Sequence, residues 1–234
     1  MLSLTFAKYF ELKKYAVIVA GGLGVRMGGD IPKQYMRLHG KPVLSYSLEK
    51  FLAAFPDLEI ILVVGSAYEE TARNLISDTD YAARVRITTG GHTRFHSVKN
   101  GLHYIDQPSI VFIHDAVRCL LSTDLILRCY ETALLEGNAV PAIMAVDSIR
   151  INTNNGNESV PRRDVRLIQT PQTFQSEIII AAFKQDYDAA FTDEATLVER
   201  LGIKINLVEG ESTNIKLTNP IDLYLAERLL AEKK

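Results

Sequence analysis

The sequence predicts a three-layer α/β domain on a mostly parallel sheet, and three observations carry that prediction. Tyr15 to Ala20, Glu59 to Val64, Arg84 to Thr88 and Ser109 to His114 are short runs of nearly continuous apolar character, as strands buried on both faces must be. Helical spacing of apolar residues separates such runs. A glycine-rich loop follows the first of them, at the kind of strand end where open α/β sheets bind ligands.

Each element can be justified in turn. Leu44, Leu48, Phe51, Leu52 and Phe55 recur at helical spacing, with Pro42 near the helix start, where a missing N–H does no harm. Strand, helix and strand in that order make a Rossmann-like alternation. After Ala139 to Val146 the pattern changes. The stretch Ser148 to Gln169 holds short extended pieces around Asn152-Thr153-Asn154-Asn155-Gly156-Asn157, which predicts a protruding β-hairpin arm at about 147–170. Lys204 to Val208 reads as a further strand, and Pro220 to Glu232 as a closing helix capped by Asn219. The 234 residues therefore suit one domain over 15–234 behind an extension at 1–14.

Composition narrows the function. The chain is 47% hydrophobic and 23% charged, ordinary for a globular protein. With 26 basic against 28 acidic residues the net charge is −2, so no global field recruits nucleic acid, and anion binding must be local. Cys119 and Cys129 have no metal-ligand spacing and read as two packed thiols in a reducing, cytoplasmic setting. No apolar run reaches the ~18 residues needed to cross a bilayer, and Met1 to Lys14 does not read as a secretion signal.

The most informative stretch is Val17-Ile18-Val19-Ala20-Gly21-Gly22-Leu23-Gly24-Val25-Arg26-Met27-Gly28-Gly29-Asp30-Ile31-Pro32-Lys33-Gln34. Glycines let backbone N–H groups approach phosphate oxygens, and Arg26 and Lys33 add positive charge. The loop is neither common nucleotide fingerprint: Met27 stands where a dinucleotide loop needs its last glycine, and no Gly-Lys-Ser/Thr follows.

AGGLGVRMGGDIPKQY resembles the signature of sugar and alditol phosphate nucleotidyltransferases, and its PKQY ending is similar in particular to 2-C-methyl-D-erythritol 4-phosphate cytidylyltransferases. The resemblance runs in order from about Ala16 to Leu225. It implies CTP as co-substrate, Mg²⁺ as cofactor, and the third step of non-mevalonate isoprenoid precursor synthesis. Arg26, Lys33 and Lys216 are then the catalytic cations, with Lys216 in Ile215-Lys216-Leu217 facing both the α-phosphate and the incoming phosphate. Ala20, Gly21, Gly22 and Gly24 line the triphosphate. Gly91 and Ser97, from GGHTRFHSV, contact cytosine and ribose. Asp115, at the strand end within VFIHDAVR, is the metal ligand, since a carboxylate oxygen suits Mg²⁺; the adjacent His114 points to the other face and is structural.

For the acceptor, the same resemblance implies Arg118, Ser148, Arg162, Thr170 and Thr192, with Arg162 and Thr192 meeting across a homodimer interface made by the arm. Arg163 is a rival for Arg162. Ser148 stands where threonine is frequent, His92 where an acidic residue is common, and Cys119 where proline often follows the arginine. A phosphate monoester is mostly ionised at neutral pH, so this chemistry needs positioned cations and no general base. Two other readings stay open: a ribitol 5-phosphate cytidylyltransferase and a non-catalytic nucleotide-binding module.

Overall fold

The computed structural model describes residues 12–22 and 31–232. In chain order the strands and helices are β1 (Lys13–Ala20), β2 (Arg37–Leu38), β3 (Lys41–Pro42), α1 (Val43–Ala54), β4 (Glu59–Val64), α2 (Glu69–Ser77), β5 (Val85–Thr89), α3 (Arg94–Leu102), β6 (Ser109–Asp115), α4 (Thr123–Glu136) and β7 (Asn138–Met144). There follow β8 (Ile149–Thr153), β9 (Gly156–Val160), β10 (Arg166–Ile168), β11 (Gln172–Gln175), α5 (Ser176–Ala182), α6 (Glu194–Glu199), β12 (Leu207–Glu209) and α7 (Pro220–Glu232).

One sheet takes the order β10-β7-β11-β6-β1-β4-β5, with β12 also beside β7. The run β6-β1-β4-β5 is parallel throughout, and β10 and β11 run antiparallel to their neighbours. The sheet is therefore mostly parallel, as the alternation predicts. Alternate residues of β1 explain the three layers: Ala16, Ile18 and Ala20 face α1 and α4, whereas Tyr15 and Val17 face α3 and α5. On that second side Gly101 lets α3 lie close, because a Cβ there would meet Val17 Cγ1 at 2.6 Å. No helix among the described residues is long and apolar enough to cross a membrane.

Some boundaries differ from the sequence reading. β1 begins at Lys13, because Lys13 and Lys14 already pair with Ser109 and Ile110, so the sheet claims the last two residues of the expected extension. The stretch 147–170 splits: β8 and β9 form a separate hairpin, but β10 returns to the main sheet on β7. The strand expected at Lys204 to Val208 is only Leu207–Glu209, since pairing with β7 starts opposite Val140. The closing helix starts directly after Asn219, and Asp222 Oδ2 accepts from the N–H groups of Thr218 and Asn219 at 2.7 Å each. Cys119 and Cys129 are both buried and free, and burial pushes each thiol up to about 12.

Candidate active site

The C-terminal ends of β1, β4, β5 and β6 open into one cleft of about 850 Å³. Its lining includes Gly21 and Gly22 after β1, Gly65 after β4, Gly90 to Arg94 after β5, Asp115 of β6, and Lys33 and Lys216 from opposite ends of the chain. Gln34, itself buried, fastens the first loop: its Nε2 donates to the carbonyls of Ala20 at 2.7 Å and Gly22 at 2.9 Å. A Cβ added at Gly22 would meet nothing within 4 Å among the described residues. Gly24 and Arg26 lie outside the described residues.

The loop after β5 is built so that only glycine fits. A Cβ on Gly91 would stand 2.4 Å from His96 Cβ, and one on Gly90 would stand 2.7 Å from Ser97 Oγ. Ser97 Oγ accepts from the Gly91 N–H at 3.1 Å and donates to the Thr93 carbonyl at 3.0 Å, while Thr93 caps α3. The start of α3 thus lies at the cleft, and a helix start favours anions.

Asp115 is the electrostatic hub. Arg94 Nε lies 3.1 Å from Oδ1 and Lys216 Nζ 2.8 Å from Oδ2, with Arg118 Nε at 4.0 Å from the same oxygen. Burial opposes ionisation here, but Arg94, Lys216 and Arg118 reverse it and hold the carboxyl well below the usual carboxylate range. Behind it, the Thr170 hydroxyl accepts from the Asp115 N–H at 3.2 Å and bonds His114 Nδ1 at 3.0 Å. His114 is wholly buried beside Phe51, and burial pulls it down to about 3, so it is neutral. Its expected structural role fits this setting.

Lys216 is delivered by packing. Leu217 is fully buried with Val117, Cys119 and Leu120, and its N–H donates to the Val117 carbonyl at 3.1 Å. Buried Asn214 extends the seam, donating to the Thr170 carbonyl at 2.9 Å and accepting Arg118 Nη1 on its own carbonyl at 2.8 Å. Asn214 and Leu217 thus anchor the chain on either side, and the intervening lysine lines the cleft.

The sequence-predicted residues within the described chain therefore separate into three groups. Ala20, Gly21, Gly22, Lys33, Gly91, Ser97, Asp115 and Lys216 share one cleft. Arg118 and Thr170 sit behind Asp115, where Arg118 Nη1 and the Thr170 hydroxyl bond neighbouring protein groups while the buried Arg118 Nε has no hydrogen-bond partner among the described residues. Ser148, Arg162 and Thr192 are exposed; the Arg162 Nη1 donates to the Val146 carbonyl at 2.9 Å, and neighbouring Arg163 approaches Asp164 at 3.7 Å. The sequence reading assigns no role to Arg94, although it lines the cleft and bonds Asp115. Its other partner, buried Glu194, stands 100 residues away, so no local signal marks the pair.

Asp115 brings one hard carboxylate to the cleft, and no group of three or more His, Cys, Asp or Glu side chains gathers elsewhere among the described residues. That donor set does not make a protein cage. It does fit Mg²⁺, which is commonly held by one or two carboxylates together with substrate phosphates.

Comparison with known proteins agrees with this geometry. The family model described as IspD: 2-C-methyl-D-erythritol 4-phosphate cytidylyltransferase matches residues 15–232. A 2-C-methyl-D-erythritol 4-phosphate cytidylyltransferase of Phocaeicola vulgatus is 44% identical over 219 residues, covering 94% of this chain and 100% of the relative. The protein of that name from Bacteroides thetaiotaomicron is 40% identical over the same shares of the two chains. Among solved structures, the 4-diphosphocytidyl-2C-methyl-D-erythritol synthase of Anaerococcus prevotii superposes with a TM-score of 0.81 at 27% identity, covering 94% of this chain and 99% of that one. The Francisella tularensis 2-C-methyl-D-erythritol 4-phosphate cytidylyltransferase gives 0.78 at 33% identity, covering 92% and 99%. With a nucleotide-sized, cation-lined cleft at the ends of its parallel strands and a family match over nearly its whole length, this chain belongs to the 2-C-methyl-D-erythritol 4-phosphate cytidylyltransferase family.

Proposed function

We propose that the chain transfers the cytidylyl group of CTP to 2-C-methyl-D-erythritol 4-phosphate, releasing pyrophosphate, in non-mevalonate isoprenoid precursor synthesis. The observation that carries the chemistry is the meeting of Lys33 and Lys216 in one cleft with Gly21, Gly22 and Asp115. The names of the relatives support the acceptor and favour it over ribitol 5-phosphate.

An oxygen of the acceptor phosphate attacks the α-phosphorus of CTP. The bond from that phosphorus to the bridging β-oxygen breaks in line, and pyrophosphate leaves with the electron pair. The nucleophile is already an anion at neutral pH, so no side chain need remove a proton. The barrier lies in bringing two anions together and in the charge that builds on the five-coordinate phosphorus, and fixed cations lower both. Lys33, with Arg26, takes the triphosphate and the α-phosphate charge; Lys216 bridges to the acceptor. The N–H groups of Gly21 and Gly22 approach the phosphates, while Gly91 and Ser97 meet base and ribose. A Mg²⁺ held by Asp115 and the triphosphate would neutralise phosphate charge and orient the leaving group.

Arg118, Ser148, Arg162, Thr170 and Thr192 are proposed for the acceptor side. Arg118 and Thr170 act there mainly by holding Asp115 and the Asn214 seam. Exposed Ser148, Arg162 and Thr192 suit a site completed by the arm of a second copy in a homodimer. Pyrophosphate release from CTP, compared between 2-C-methyl-D-erythritol 4-phosphate and ribitol 5-phosphate, tests the proposal. Release with the first is expected; release with only the second would change the acceptor, and none with either would leave a binding module.

A further inference from the structure

Arg94 joins three parts of the molecule that are far apart in sequence. It opens α3 beside the Gly90–Gly91 turn, its Nε reaches Asp115 Oδ1 at 3.1 Å, and its Nη1 and Nη2 fork onto Glu194, with Nη2 at 2.9 Å from Oε2. Glu194 is only 1% exposed and opens α6, two residues after Thr192. A forked guanidinium is the one side chain that can hold two carboxylates in fixed directions at once, because its donors are coplanar and rigid. Burial pushes the Glu194 carboxyl up and the Arg94 fork works against it.

We infer that the Arg94–Glu194 pair is a positioning clamp that registers the loop carrying Thr192 against Asp115 and the nucleotide turn, so that acceptor and CTP meet at the right separation. The inference rests on the acceptor site proposed above. Arg94 presents its third donor to Asp115 Oδ1, which leaves Oδ2 as the oxygen turned to Lys216. The loop does not depend on the clamp for its fold. Asp193 caps α6 by accepting from the Thr196 N–H at 2.9 Å, and Gln172 of β11 bonds Asp193 Oδ2 at 2.9 Å and the Ala195 N–H at 2.8 Å. Removing the clamp's charge should therefore shift the loop and leave the helix in place.

The test is Glu194→Gln, which keeps the shape and one acceptor oxygen and leaves the Gln172 and Asp193 bonds intact. Glu194 does not line the cleft, so CTP binding measured without acceptor is expected to stay within about twofold of wild type. The acceptor kcat/KM should fall by about tenfold or more, mainly through kcat, as misplacement of a bound reactant by a fraction of an ångström produces. Glu194→Asp restores the charge one methylene short and should recover part of the loss; it supplies the same comparison if the glutamine variant does not fold. Unchanged acceptor kinetics, or losses of CTP binding and acceptor kinetics by the same factor in step with the melting temperature, would overturn the clamp. Wild-type turnover with each acceptor decides the function, and the variant-to-wild-type ratio, read with whichever acceptor the wild type uses, decides the clamp.

Discussion

The cleft rim and the β8–β9 arm carry similar residues and use them in opposite ways. Around Asp115, Arg94, Arg118 and Lys216 converge within 4.0 Å of one carboxylate, and the backbone behind it is pinned by Thr170 and Asn214. In and beside the arm, Arg150, Arg162 and Arg163 are exposed and bond nearby backbone or adjacent side chains. Cations gain preorganised strength only where water is excluded and their stems are held by packing. The rim cations are therefore held by partners within one chain, whereas the arm arginines lie on an exposed surface; in the proposed function the rim takes the triphosphate and the arm completes a site on a second copy.

The largest expected effect breaks the rim itself. Lys33→Ala should lower turnover by on the order of 10²-fold or more while the melting temperature moves little, because a fixed donor to developing charge is lost; steady-state pyrophosphate release and a thermal melt check both halves. Next comes the packing that aims Lys216. Leu217→Ala empties a fully buried site and should cost about 2–5 kcal/mol in denaturant unfolding, with turnover falling as the lysine loses its anchor. Gly91→Ala forces a Cβ against His96 and should cost about 1–3 kcal/mol and weaken equilibrium CTP binding. The smallest stability effect belongs to the arm: Arg162→Ala should stay within about 0.5 kcal/mol of wild type in unfolding, yet raise the acceptor KM. A large loss of stability from Arg162→Ala would erase the contrast between rim and arm.

What the sequence made legible follows the same physical division. β1, β4 and β6 are buried on both faces, so their apolar runs stand out, and the glycine loop marks the cleft because close backbone approach needs glycine. β11 was illegible as a central strand. Its buried Gln172 and Thr173 look polar, and their place between β6 and β7 is fixed by pairing with Ile113, Phe112 and Ala139, far away in sequence. Lys33, Asp115 and Lys216, singled out by their motifs, come together in the cleft. Arg94 was missed because an arginine inside a loop motif reads as a solvated charge until its distant partner Glu194 is known.

The central claim is that cations from the two ends of the chain act on one phosphorus. Single-turnover cytidylyl transfer by Lys216→Met, at saturating CTP and acceptor, tests it most directly. The account predicts a rate lower by about 10²-fold or more with CTP still bound; transfer within about threefold of wild type would place Lys216 outside the reaction and contradict it.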